Sequence, residues 1–205
     1  MSGASIYLAS RSPRRRELLG QVGVRFEPLL FREGARADAD TSEDPFPGEH
    51  PDDYVRRVTR LKAQAGWDRV LARRGHARKP VLAADTTVAL ANEILGKPAG
   101  RDDAARMLRL LAGTRHRVLT AVALAHEDRL EMRVSESLVT FAPLDEARIA
   151  AYVASGEPFD KAGGYGIQGR AAAFVERLEG SYTGVMGLPL FETCELLREF
   201  GVAVP

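Results

Sequence analysis

The chain opens on a short apolar run, Ile6-Tyr7-Leu8-Ala9, that stops at Ser10-Arg11-Ser12-Pro13; Leu18, Leu19 and Val22 then recur at helical spacing as far as Gly23. This pattern predicts strand, loop and helix, with Ser12 placed to cap and Pro13 at the first helical position, where its missing N–H costs nothing. Residues 25–31 predict a second strand. From Arg32 to Pro51 glycines, prolines and acids follow one another with no period, which predicts a long loop that is either functional, as a lid, or disordered. A helix is signalled from Pro51, with Asp52 and Asp53 in its first turn, Tyr54, Val58, Leu61 and Ala65 along one face, and Gly66 beyond its end.

Val81 to Ala84 predict a buried strand entering Asp85-Thr86-Thr87. Val88 to Leu90 continue it, Asn92-Glu93 offer a turn, and Gly96-Lys97-Pro98 end the hairpin. Further along come a helix over 102–112, strands at Arg117–Ala125 and Glu131–Phe141, and a helix near Asp145–Ser155. Gly156 to Gly169 holds five glycines and predicts a loop with unusual backbone angles. A strand near Ala172–Leu178, the loop Gly180–Gly187 and a last helix from Pro189 to Phe200 complete the series. Strands alternate with helices, but hairpins interrupt the alternation. The expected fold class is therefore α/β, a mixed sheet with flanking helices, in two lobes around a cleft and in one domain over residues 1–205.

Composition changes this picture little. In 205 residues, 29 basic against 28 acidic side chains leave a net charge of +1, so no whole-molecule field favours a nucleic-acid polymer or an anionic membrane. Any anion site must be local. No apolar run approaches the ~20 residues of a membrane span, and the lone Cys194 reads as a small apolar residue of the last helix. The expected location is the cytoplasm.

Several residues could carry chemistry. Ser10 to Arg16 crowd two hydroxyls and four arginines into a strand-to-helix junction. Cations at a helix N-terminus work against the dipole unless an anion arrives to offset both, which points to a phosphate; a solvated basic turn is the alternative. Asp85 ends an apolar run, where a carboxylate would be desolvated unless it met a cation, a donor or a metal; an ordinary turn is the alternative there. Lys62 stands one position past its helix's apolar face, and Glu33 lies at the mouth of the long loop. The four histidines show no paired ligand spacing, GxxxxGK[ST] and Gly-x-Ser-x-Gly are missing, and the one GxGxxG, Gly164 to Gly169, leads into no βαβ unit. Zinc hydrolases, Walker-type ATPases, ordinary serine hydrolases and dinucleotide folds drop out.

Together these residues resemble the Maf family of nucleoside triphosphate pyrophosphatases. The resemblance runs through Leu8-Ala9-Ser10-Arg11-Ser12-Pro13-Arg14-Arg15, Lys62-Ala63, Ala84-Asp85-Thr86, Gly96-Lys97-Pro98, Asp160 to Gly169, Gly180-Ser181-Tyr182 and Gly187-Leu188-Pro189-Leu190. It implies a fold like the inosine triphosphate pyrophosphatases, a divalent cation (Mg²⁺ or Mn²⁺), often a homodimer, and conversion of a nucleoside triphosphate to monophosphate and pyrophosphate. The Gly-Ile-Gln-Gly form of the late loop is similar to the branch acting on dTTP and UTP. On that resemblance Asp85 is the proton acceptor. Asp85 and Glu33 hold the metal, with Asp38, Asp40 and Glu43 as alternatives to Glu33, because the long loop does not align securely. Lys62 and Lys97 complete the catalytic set. Ser10, Ser12, Arg14, Arg15, Thr86, Lys161 and Gln168 bind the substrate, Gln168 reading the base with one donor and one acceptor. A non-catalytic nucleotide-binding regulator of cell division and a purine triphosphate pyrophosphatase stay open as alternatives.

Overall fold

The structure, a computed structural model, describes residues 5–29, 43–73 and 77–204. Strand β1 (Ile6–Leu8) leads into helix α1 (Pro13–Gln21), whose cap is Ser12, its side chain accepting from the Arg15 amide. Strand β2 (Phe26–Pro28) follows; the rest of the expected strand, at 30–31, lies outside the described residues. Helix α2 (Pro51–Ala72) precedes the hairpin of β3 (Val81–Leu90) and β4 (Glu93–Leu95). Then come α3 (Arg101–Leu111), the long hairpin of β5 (Arg115–His126) and β6 (Arg129–Phe141), and α4 (Glu146–Ala154). Short 3-10 turns lead to β7 (Val175–Glu179), α5 (Tyr182–Met186) and α6 (Leu190–Glu199).

One seven-stranded mixed sheet results, in the order β2-β1-β3-β5-β6-β7, with β4 pairing β3. Strand β1 runs parallel to β2 and β3, and every other pairing is antiparallel. The core lies on both faces. Leu82 and Ala84 pack with Leu18, Leu19, Leu188, Leu196 and Leu197 on the face of α1, α5 and α6. Val81 and Ala83 pack with Ala63, Trp67 and Val70 on the face of α2. A third cluster, around Val88, Leu108, Phe141, Ile149 and Tyr165, fills the far end of the sheet. Burial on both faces explains why β3 reads as a nearly unbroken apolar run.

Three expectations are corrected. Helix α2 does not stop at Gly66 but runs on to Ala72. The glycine is there for packing: a methyl group on Gly66 would stand 2.7 Å from Val81 Cγ1 and 3.4 Å from Ala9 Cβ. The expected loop Gly180–Gly187 contains α5, and the last strand starts at Val175 because Arg170–Phe174 form a 3-10 turn. Cys194 is buried in α6 as expected. Among the described residues no helix is long and apolar enough to cross a membrane.

Candidate active site

Asp85 does not end its strand; it lies in the middle of β3, opposite Ala121 of β5. What opens there is the other edge. On that side β1 accompanies β3 only through Leu82, and β4 joins only from Val88. Between the two no strand of the described residues lies on the edge, and a cleft of about 1120 Å³ occupies the gap. It is the mixed-sheet counterpart of a switch point, where a strand order that reverses leaves a crevice for ligands.

Alternation along β3 sends Asp85 to the α2 face and Thr86 to the opposite one. Asp85 is 8% exposed, and its Oδ1 accepts from Lys62 Nζ at 2.7 Å. Lys62 is no snorkelling surface lysine: it stands in the row of Thr59, Ala63 and Gly66 that faces the sheet. The same ammonium lies 2.9 Å from Glu43 Oε1, so it bridges two carboxylates. Burial works to raise the Glu43 carboxyl, but the Lys62 ammonium, helped by Lys97 and Arg15, outweighs it and holds the group below the usual carboxylate range. Glu43 is one of the four loop acids named from the sequence. Glu33, Asp38 and Asp40 lie outside the described residues.

The segment bearing Glu43 is fastened to α2. Tyr54 donates from its hydroxyl to the Glu43 carbonyl at 2.8 Å, and Arg57 reaches the Asp44 carbonyl at 3.0 Å. Arg57 also forks onto Glu49 at 2.6 and 2.7 Å and stacks 4.1 Å over the Phe46 ring. Tyr54 and Arg57 escaped the sequence reading, although their spacing of three on one helix was a signal for a shared partner.

On the opposite face Arg15 reaches inward. It donates to the Gly187 carbonyl at 2.7 Å, to Ser10 Oγ at 3.2 Å and to Thr86 Oγ1 at 3.4 Å. Among the described residues all its direct partners are neutral acceptors. Burial pushes this guanidinium below its ordinary value, offset only in part by Asp85. Thr120 Oγ1 lies 3.0 Å from Thr86 Oγ1 and 2.7 Å from the Gly184 carbonyl. Ser10 also accepts from the Ser12 amide at 3.2 Å, which folds the arginine-rich junction against the gap.

The remaining expected residues line the same cleft: Ser12, Arg14, Lys97, Lys161 and Gln168. Arg14 is 3.6 Å from Asp160. Lys161 donates to the Glu157 carbonyl at 2.7 Å and pairs with Asp160, so its ammonium serves its own loop. Gln168 is exposed at the cleft wall. The described part of the predicted set thus converges on one opening.

Two converging carboxylates also answer the question of a metal. They are hard oxygen donors in a cleft rimmed by cations, and Mg²⁺ takes one or two carboxylates with water and substrate phosphates supplying the rest. Among the described residues no group of three or more His, Cys, Asp or Glu gathers anywhere, so the protein's share here is these two carboxylates. The donor set fits Mg²⁺ or Mn²⁺ shared with a phosphate ligand.

Fold and cleft define the class: a mixed α/β protein whose broken sheet sets an acid pair and a ring of cations around one polyanion-sized opening. The chain belongs to the family described as Maf-like protein, whose model matches residues 5–200. It is 58% identical over 199 residues to a dTTP/UTP pyrophosphatase of Aromatoleum aromaticum, covering 97% of this chain and 96% of that one. A protein of the same description from Dechloromonas aromatica is 56% identical, over 96% of this chain and 97% of its own length. One from Nitrosomonas europaea is 53% identical, over 99% and 98%. Among solved structures, the Staphylococcus aureus Ham1 protein is similar over 96% of this chain and 97% of its own, at 16% identity and a TM-score of 0.46; so slight a likeness says nothing of the site.

Proposed function

We propose that this chain is a nucleoside triphosphate pyrophosphatase that hydrolyses dTTP and UTP to the monophosphate and pyrophosphate. The observation that carries the reading is the gap in the sheet, with the Asp85–Lys62–Glu43 bridge on one face and Arg15, which among the described residues is directly partnered by neutral acceptors, on the other. Relatives named for that activity at 53–58% identity support it.

The triphosphate lies with its phosphates between Arg15, Arg14, Lys62 and Lys97, while Ser10 and Ser12 add donors at the start of α1. Asp85 takes the proton of a water that attacks the α-phosphorus, and pyrophosphate leaves from the opposite side. Asp85 and Glu43 would hold the divalent cation, which would neutralise phosphate charge and make the phosphorus more electrophilic. Lys62 trades a carboxylate for a phosphate oxygen as the polyanion enters, and Lys97 meets charge building on the leaving oxygens. Gln168 turns its amide to the edge of the pyrimidine, where N3–H and O4 ask for one acceptor and one donor. The protein works as a cytoplasmic enzyme on free nucleotides and as a homodimer.

A panel of dTTP, UTP, CTP, GTP and ITP, with Mg²⁺ or Mn²⁺ and with chelator, tests the whole reading by pyrophosphate release. Preference for dTTP and UTP with a metal requirement is expected. A purine preference, or binding without turnover, sinks it. In H₂¹⁸O the label belongs in the monophosphate; label confined to pyrophosphate rejects attack at the α-phosphorus.

A further inference from the structure

Gln168 is exposed, yet the backbone on either side of it is held by one half-buried apparatus. The turn before it is fixed to the sheet: Gly163 donates to the Gly96 carbonyl at 3.0 Å, and the Tyr165 hydroxyl is 2.8 Å from His116 Nε2. From Gly166 onward the attachment changes. The Gly166 amide donates to the Tyr152 hydroxyl at 3.2 Å, and that hydroxyl donates to Glu157 Oε1 at 2.9 Å. The Arg170 amide donates to the other oxygen, Glu157 Oε2, at 3.0 Å. One carboxylate therefore gathers the chain two residues before and two residues after Gln168, and a carboxylate is the side chain that accepts in both directions without offering a competing donor.

The glycines of this segment fit the same device. A methyl group on Gly169 would stand 2.2 Å from Glu157 Oε1, and one on Gly166 would stand 2.7 Å from Lys161 Cε. A side chain at 169 could be admitted by moving the Glu157 carboxylate, but only by drawing it off Tyr152 and Arg170. Glycine there keeps the buckle closed.

We propose that Glu157, with Tyr152, is a positioning residue for nucleobase selection: it sets the height at which Gln168 meets the pyrimidine without touching the substrate itself. The proposal rests on the reading of Gln168 given above. Because the buckle acts on the base end of the cleft, its loss alters discrimination and KM, whereas the phosphate end, and with it kcat, stays assembled.

Steady-state kinetics of the full chain with UTP, dTTP, CTP, GTP and ITP test it, with melting temperature measured in parallel. Glu157→Ala is expected to raise KM for UTP and dTTP by about tenfold, leave kcat within about threefold, and narrow the pyrimidine-to-purine ratio by about tenfold, the scale of losing one or two oriented contacts. Glu157→Gln, which keeps one acceptor for Arg170, restores most of the ratio. Gly169→Ala gives the Glu157→Ala phenotype, and the double variant is no worse than either single, since both open the same buckle. If Glu157→Ala does not fold, Tyr152→Phe keeps the ring, removes only the hydroxyl, and is expected to show a smaller loss of the same kind. A folded variant with undiminished discrimination overturns the buckle alone. So does an equal fall in kcat for every nucleotide at unchanged ratio, the mark of a merely structural role. A wild-type protein that hydrolyses no pyrimidine nucleotide overturns the function reading and the buckle's role with it.

Discussion

Asp85 and Thr86 are adjacent in β3, and the two faces they serve keep charge in different ways. Toward α2 the site is paired, since one ammonium sits between two carboxylates. Toward α1 and α5 it is unpaired: Arg15 is ringed by a carbonyl and two hydroxyls, and behind them stand Thr120 and the Gly184 carbonyl. A paired site is self-sufficient, and removing its shared ammonium leaves two carboxylates stranded. A half-buried cation that touches no anion gives up part of its solvation and regains it when an anion binds. On the proposed reading, base chemistry and anion capture are thus held on opposite sides of one strand, one residue apart.

The strongest way to break the comparison is to remove the acceptor on the paired face. Asp85→Asn leaves Lys62 with Glu43 as partner, so the fold should persist, but the amide cannot take a proton. Pyrophosphate release from dTTP is expected to fall by about 10³-fold, within the range for losing a general base. Near-wild-type release would reject Asp85 in that role.

Next comes Arg15→Met on the unpaired face. It should lower kcat/KM by about 10²-fold, the scale of one lost charge-stabilising donor. Because it also removes a cation that touches no anion among the described residues, the melting temperature should stay within about 3 °C of wild type. A large loss of stability would show that Arg15 is chiefly a structural brace and would undo the contrast.

The third test is acid. His116 belongs to the Thr86 face, buried against Tyr165, Phe141 and their neighbours, and burial pushes its pKa down to about 4. The folded protein keeps this ring neutral where the unfolded chain, titrating near 6.5, takes up a proton. The unfolded state binds more protons between those values, so stability falls as pH drops from about 6.5 toward 4, by roughly 3 kcal/mol at most. Urea unfolding at pH 7.5, 6, 5 and 4 should show that component in the wild type and not in His116→Gln. Parallel pH curves for the two proteins would contradict it. Glu43 behaves otherwise: held below its usual range, it contributes stability that is present above that range and lost only at lower pH.

Much of this was readable from residue order, and the exceptions have physical causes. The Ser12 cap, the β3 run and the glycine-rich late loop carry local signals, because caps, alternation and φ > 0 are properties of a few neighbouring residues. Gly66 misled because a glycine that ends a helix and one that lets a helix touch a strand look alike until Val81 is seen against it. Lys62 seemed to lie off the apolar face because a stripe counted from Leu61 and Ala65 is turned from the buried row of Val55, Thr59, Ala63 and Gly66. The loop acid stayed ambiguous because a segment without period offers no register. Tyr54 and Arg57, which bring Glu43 to Lys62, do so through its backbone and its neighbours.

The smallest effect sharpens the contrast most. Thr120 has one hydroxyl proton and two oxygen neighbours, the Gly184 carbonyl at 2.7 Å and Thr86 Oγ1 at 3.0 Å. The carbonyl can only accept, so that proton belongs to it, and Thr86 must donate to Thr120. Arg15 in turn donates to Thr86 at 3.4 Å. The result is a one-way relay, guanidinium to hydroxyl to hydroxyl to carbonyl, that ends without any carboxylate. Thr120→Val keeps the shape but strands the Thr86 proton and leaves the Gly184 carbonyl with the Gly187 amide alone, at a cost of about 1–3 kcal/mol. A melting temperature lower by a few degrees is expected for a chain of this size, with kcat/KM reduced only a fewfold and Thr120→Ser close to wild type. If the valine variant were as stable as the native protein, the relay would hold nothing, and Arg15 would owe its place to the Gly187 carbonyl and Ser10 alone.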